Sequence, residues 1–344
     1  KHVAEAIVLA RLGALLHDIC HVPYGHSIED DIGILYPHDS NTQRFETLWK
    51  QFDETLRNLI SVELKSALRP LILSKDKLST SQGLKDEPYA FVQDIVGNTI
   101  CADLLDYLQR DHLYTGLPAK LGHRFIDGFY VTDSKHPVYP RHMVMRICRS
   151  GRERADVMSE LFKFLRYRYE LSERALVHHA KLAADAMVGK LLEMWSDAIW
   201  IDLACKRDPT LVAIKDDIDK VREKIASIDS SEAVKLDELV REKLEREFLR
   251  HGDDGLIEYI LDLVSSGKEK DSRLAAIEVL ATCIQTRKLY KLIAQCRGAK
   301  PQAREIHQKF GKPEARRKLE EGAARYAGLK HRWHVLLWIP GPDM

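Results

Sequence analysis

The sequence predicts a mainly helical protein with a helical core, one small β-hairpin and a helical C-terminal lobe, and three observations carry that expectation. Apolar residues recur at helical spacing over 3–19, 46–73, 88–113, 153–204 and 254–296. Early in the chain only FYVT (129–132) and MVMRIC (143–148) are dense in strand-forming residues, and Pro137 and Pro140 between them suit a hairpin loop. From 206 to 250 the chain is heavily charged, and it reads as a solvated amphipathic helical hairpin broken at Ser230 and Ser231.

Taken in order, the first helical pattern (VAEAIVLARLGALLHDI, 3–19) is expected to end around Pro23. Residues 20–45 are rich in His, Asp, Gly, Ser and Pro and read as an irregular loop. Ser79, Thr80, Ser81 and Gly83 mark a turn between the next two helical stretches. The run 153–204 is expected to form one or two long helices, and HVLLWI (334–339) before Pro340 to form a final strand. This gives a core over 1–205 and a charged helical lobe over 206–344. The chain opens without Met inside a helical pattern, so a truncated N-terminus is expected, and the fold is expected to continue past Met344.

Composition narrows the classes. The 344 residues suit one large domain or two small ones, and 45% apolar content can supply a sizeable core. Lys and Arg total 53 against 52 for Asp and Glu, so the basic excess of a nucleic-acid coat is lacking. No apolar run approaches the roughly 20 residues that span a bilayer. Cys20, Cys101, Cys148, Cys205, Cys283 and Cys296 are scattered with no C-x-x-C pair, which reads as reduced, buried thiols of a cytoplasmic protein.

Chemistry concentrates in two stretches. In LLHDICHVPYGHSIEDD (15–31), His17 and Asp18 stand side by side at the end of an apolar helix, where an imidazole and a carboxylate suit a divalent metal. Alone, the pair reads equally as a polar helix end. In CADLLDYLQRDHLYTG (101–116), helical spacing puts Asp103, Tyr107 and either Arg110 or Asp111 on one face, while Asp106 and Arg110 suit an ordinary i,i+4 ion pair.

Together, H-D-x-x-H-x-P-Y-x-H and D-x-x-D-Y-x-x-R-D-x-x-x-T-G resemble the dNTP triphosphohydrolase (dGTPase-like) branch of the HD superfamily of metal-dependent phosphohydrolases. Weaker similarity runs through RICRSGRERADVMSELF (146–162), HHAKLAADAM (178–187), RKLYKLI (287–293) and WIPGPDM (338–344). The resemblance implies an HD-domain helical core, a nucleotide substrate, a homo-oligomer and a divalent metal (Mn, Fe, Zn, Mg or Ni). It implies His17, Asp18 and Asp103 as metal ligands, and Tyr107 and Asp111 as sugar contacts. Arg168 would touch phosphate, and His21 would face the phosphates or stand behind the ligands. His26 and His38 would line the reaction centre, His26 first and His38 second as general acid, with Glu29 holding one imidazole. The implied reaction releases a deoxynucleoside and inorganic triphosphate.

The chain departs from that pattern in three places. The family carries a further ligand histidine on an earlier helix; His2 is the only upstream histidine here, and one helix over 2–17 would hold the two imidazoles roughly 22 Å apart. That ligand is therefore expected before Lys1 or in residues missing between the two segments. Leu176 stands where the family often has tyrosine, and Leu104 where some members have lysine. Elsewhere, His178 and His179 read as packing or surface residues, and Trp195, Trp200, Trp333 and Trp338 as core aromatics. Two other functions fit the residues: an HD phosphodiesterase or nuclease on cyclic nucleotides or short oligonucleotides, and a non-catalytic nucleotide-sensing module. Binding to longer nucleic acid is not favoured.

Overall fold

The computed structural model describes residues 2–56, 58–73, 89–120, 122, 126–136, 140–265, 272–295 and 300–339. The turn expected over Ser79–Gly83, the loop residue Pro137 and Cys296 lie outside them. The described chain is mainly α-helical, as expected, and carries two small antiparallel hairpins where one was expected. It forms two compact units: residues 1–20 with 38–178, and residues 21–37 with 179–344.

The first unit begins with helix α1 (His2–Leu16), followed by α2 (Thr42–Leu56), α3 (Val62–Ile72), α4 (Ala90–Gly97), α5 (Ala102–Thr115) and α6 (Ala155–Leu171). Helix α1 packs on α3 and α4, and α4 on α5. The core there joins Leu9, Leu16, Phe45, Leu68, Ile72, Val92 and Val96. The pattern over 88–113 breaks at 98–101, where Cys101 caps α5 by accepting from Leu104 N at 3.4 Å. At its other end α5 stops at Gly116, whose φ of 72° suits a residue without Cβ. Strand β1 (Phe129–Val131) pairs with β2 (Met143–Met145) in the expected hairpin, with Tyr130 opposite Val144. A second hairpin, β3 (Cys148–Arg149) with β4 (Arg152–Glu153), takes the end of the stretch expected to be a single strand.

The second unit is built around the long helix α7 (His179–Arg207), followed by α8 (Ile218–Ala226), α9 (Ser230–Phe248), α10 (Asp253–Ser265), α11 (Ser272–Gln285), α12 (Lys300–Phe310) and α13 (Pro313–Tyr326). Helix α7 crosses the expected boundary at 205/206 and lies wholly in this unit. The charged stretch folds as two capped helices whose apolar stripes (Ile218, Val221, Ile225; Leu236, Val240, Leu244, Phe248) join the core. Asp217 and Asp229 provide the caps. Helix α7 also carries a buried ion network: Lys190 Nζ donates to Glu193 Oε2 at 2.8 Å and to Glu320 Oε2 at 2.5 Å. Arg317 bonds Glu193 and Asp197 in turn. Burial alone would raise the Glu193 carboxyl, but Lys190 and Arg317 outweigh it and hold it at about 2.

Three local expectations are corrected. Residues 335–339 form no strand: after a 3-10 turn (Arg332–His334), Leu337 N donates to Glu320 Oε1 at 3.1 Å instead of to a ladder partner. The helical pattern over 254–296 stops at Gln285, where Arg287 takes a φ of 56° and Lys288 N closes onto Cys283 O at 2.8 Å. Cys148 is an exposed thiol, unlike buried Cys20 and Cys101. Among the tryptophans Trp200 is buried and Trp195 and Trp333 pack against the core, while His178 and His179 are exposed. No helix among the described residues is long and apolar enough to cross a membrane.

Candidate metal centre

Helix α1 ends at Leu16, earlier than its apolar pattern suggests, because the His17 imidazole supplies a cap. His17 Nδ1 lies 2.9 Å from Ala14 O, and a carbonyl can only accept, so Nδ1 carries the proton. In the neutral ring this leaves the lone pair on Nε2, the tautomer used by a ligating histidine whose other nitrogen is anchored. That Nε2 is buried and makes no hydrogen bond. It faces Asp18 Oδ2 at 3.3 Å and Asp103 Oδ1 at 3.6 Å. Asp103 reaches it from the first turn of α5, where the helix dipole also favours a carboxylate.

A lone pair pointing at two carboxylates is unfavourable unless a cation stands between them. The donor atoms of His17, Asp18 and Asp103 all lie within 4.8 Å of one another. Ligand atoms about 2.1 Å from one ion are about 3.0–4.2 Å apart for cis, tetrahedral or trans placement. The two His17 separations, 3.3 and 3.6 Å, fall inside that range. One imidazole and two carboxylates form a borderline-to-hard donor set, so the residues fit a divalent metal.

Around this triad the first unit gathers several expected residues. His38 brings a ring nitrogen within 4.8 Å of an Asp18 carboxylate oxygen. Tyr107, one turn beyond Asp103, is half-buried against Cys101, Leu104, Leu108, Phe164 and Leu171. Burial raises the Tyr107 hydroxyl above its ordinary value; Arg168 opposes this, and Asp103 and Asp111 add to it. Arg168 of α6 therefore acts on the same face as Tyr107 and Asp111. Asp106 and Arg110 turn away as an exposed i,i+4 pair at 2.6 Å. His2 stands at the opposite end of α1 from His17, roughly 22 Å away by helical rise. It lies 3.4 Å from the Tyr89 hydroxyl and 3.5 Å from Glu5, so it is no part of this triad.

His21, His26 and Glu29 belong to the second unit, on the segment 21–37. A π-helical turn (Ser27–Ile32) follows His26 directly. Glu29, with its side chain fully buried, lies 3.6 Å from His21 Nδ1. The His21 and His26 rings meet edge-on at 4.9 Å. His26 Nδ1 donates to Asp30 Oδ2 at 2.6 Å. Asp30 was not among the residues singled out from the sequence, although its i+4 spacing from His26 is a local signal. The Ala14 carbonyl that sets the His17 tautomer has no sequence signal, because every residue carries one.

No protein-family model matches the chain, and no curated protein sequence matches it. Among solved structures, the crystal structure of a phosphohydrolase from Bacteroides thetaiotaomicron VPI-5482 matches 95% of this chain with a TM-score of 0.51 at 17% sequence identity. The chain spans 66% of that protein's length. At that identity the likeness is one of fold: this chain and that phosphohydrolase share a helical architecture.

Proposed function

We propose that this protein is a metal-dependent phosphohydrolase of the HD type acting on a nucleotide, and more narrowly one that splits deoxynucleoside triphosphates into deoxynucleoside and triphosphate. One observation carries the reading: the His17 lone pair, set by Ala14 O, between the Asp18 and Asp103 carboxylates. The shared fold with a phosphohydrolase supports it. His17, Asp18 and Asp103 hold the ion. When bound, a divalent metal supplies Lewis acidity, polarising a phosphate oxygen and lowering the pKa of a water.

The chain's own groups do the rest. Arg168 neutralises phosphate charge, and Tyr107 packs against the sugar with Asp111 accepting from its 3′-hydroxyl. His26, or failing that His38, donates a proton to the leaving oxygen, with Glu29 steadying a neighbouring imidazole. The same reading carries a homo-oligomer and a cytoplasmic location.

The test is metal analysis of the purified protein followed by product chromatography. The expected result is one ion per chain, lost in Asp18→Ala and Asp103→Ala with the helical content unchanged, and nucleoside plus triphosphate from a dNTP. Monophosphate plus pyrophosphate, or opening of a cyclic nucleotide, would move the enzyme to the phosphodiesterase class. Wild-type protein that takes up no metal would leave a nucleotide-sensing module.

A further inference from the structure

The segment that carries His21, His26 and Glu29 has little regular structure of its own. Tyr24 and Gly25 both take positive φ, 63° and 37°, which for Tyr24 is unfavourable without outside support. Beyond Gly25 comes only the π-helical turn Ser27–Ile32, ended by Gly33. A stretch like this loses much conformational entropy when ordered, so something must hold it.

The holding groups come from the far end of the sequence. Asp253, the first residue of α10, takes Tyr24 by both ends: Tyr24 N donates to Asp253 Oδ1 at 2.9 Å, and Tyr24 Oη donates to Asp253 O at 2.9 Å. Arg316, in the first turn of α13, is buried and donates to Asp31 O at 3.0 Å and Ile32 O at 3.4 Å. A guanidinium forked over two main-chain carbonyls fixes a turn in a way a point-charge ammonium cannot. Asp253 therefore grips the chain two residues before His26, and Arg316 grips it just after Glu29 and Asp30. Helix α9 adds a third tether farther on, Arg241 NH1 donating to Ile34 O at 3.0 Å.

We propose that Asp253 and Arg316 are positioning residues that set the His26–Asp30 and His21–Glu29 pairs for the reaction, so that the C-terminal helices are the scaffold of the histidine segment. The assignment rests on the phosphohydrolase reading above. Neither residue touches substrate; each acts through the backbone that bears the histidines.

The test uses the full chain with Arg316→Gln, the milder Arg316→Lys, and Asp253→Ala. Amide hydrogen exchange is followed over 24–34, with α9 as the internal reference, alongside metal content, kcat and KM. The expected result is exchange about tenfold faster over 28–34 in the Arg316 variants, and over 24–29 in Asp253→Ala, with α9 unchanged. With it, kcat falls about tenfold while metal content and KM stay within about twofold, and Arg316→Lys recovers part of the loss. Faster exchange throughout the unit, with kcat per folded molecule unchanged, would reduce both residues to ordinary stabilisers and overturn the proposal. So would wild-type exchange over 24–34 in variants that fold. If the wild-type protein hydrolyses no nucleotide, the phosphohydrolase reading fails by itself, and the exchange pattern still decides whether these two residues hold the segment.

Discussion

Replacing Asp103 by asparagine separates a metal centre from an ordinary polar cluster by whether the stability change depends on metal. In the metal-free protein the Asp18 and Asp103 carboxylates lie within 4.8 Å of each other around a lone pair. Two like charges at that distance repel by about 0.9 kcal/mol in water and about 1.7 kcal/mol at an effective dielectric near 40. Their side chains are 54% and 39% exposed, so solvent screening favours the lower figure. Asp103→Asn keeps the shape and removes one charge; the repulsion relieved is offset by about 0.3–1 kcal/mol of helix-dipole interaction lost at the start of α5, so the metal-free variant should match the wild type to within about half a kcal/mol. In excess Mn²⁺ the wild type becomes clearly the more stable. Ion at a hundred times its dissociation constant stabilises the wild type by about 2.7 kcal/mol, a gain the variant lacks. The assay is thermal unfolding after chelation, with and without Mn²⁺, at pH 8 so that protons compete little for the imidazole. If His17 were instead an imidazolium pairing with both acids, Asp103→Asn would lose an attraction of about 1 kcal/mol in the metal-free protein. A metal-free variant clearly less stable than wild type, with no Mn²⁺-dependent difference, would refute the metal reading.

Three further outcomes are expected. A Cβ at Gly189 would collide with Ile32 Cδ1, so Gly189→Ala should cost about 1–3 kcal/mol by urea unfolding; Gly189→Ala with Ile32→Ala should recover much of it, and a neutral single variant would mean the contact is loose. Glu193, held at about 2 against an ordinary 4.5, contributes stability that is present above pH 4.5 and lost as pH falls toward 2, up to about 3 kcal/mol; Glu193→Gln should flatten that acid limb, and parallel limbs in both proteins would exclude it as the source. Tyr107→Ala should lower the ratio of kcat/KM for dGTP over GTP about tenfold with metal retained, whereas an unchanged ratio would leave Tyr107 a packing residue.

How much of this was legible in the sequence follows the range of each interaction. Helices and hairpin were readable because their signals sit within a few residues: the apolar period of α9, the break at Ser230 and Ser231, and the strand pair around the Pro140 loop. His17 next to Asp18, and Asp103 a turn before Tyr107, were visible for the same reason. The missing final strand was not, because a strand needs a partner, and the Leu337 amide found a buried carboxylate instead. Tertiary structure alone brought Asp103 to His17, and it alone made the cation fit testable by burying a lone pair between two acids. It also tied Tyr24 to Asp253, 229 positions away, and Asp31 to Arg316, 285 positions away. Such pairings depend on which helix faces meet after collapse, and no local spacing encodes that. The sequence thus determined the chemistry available to this protein and the helices that bear it; packing decided which groups face one another.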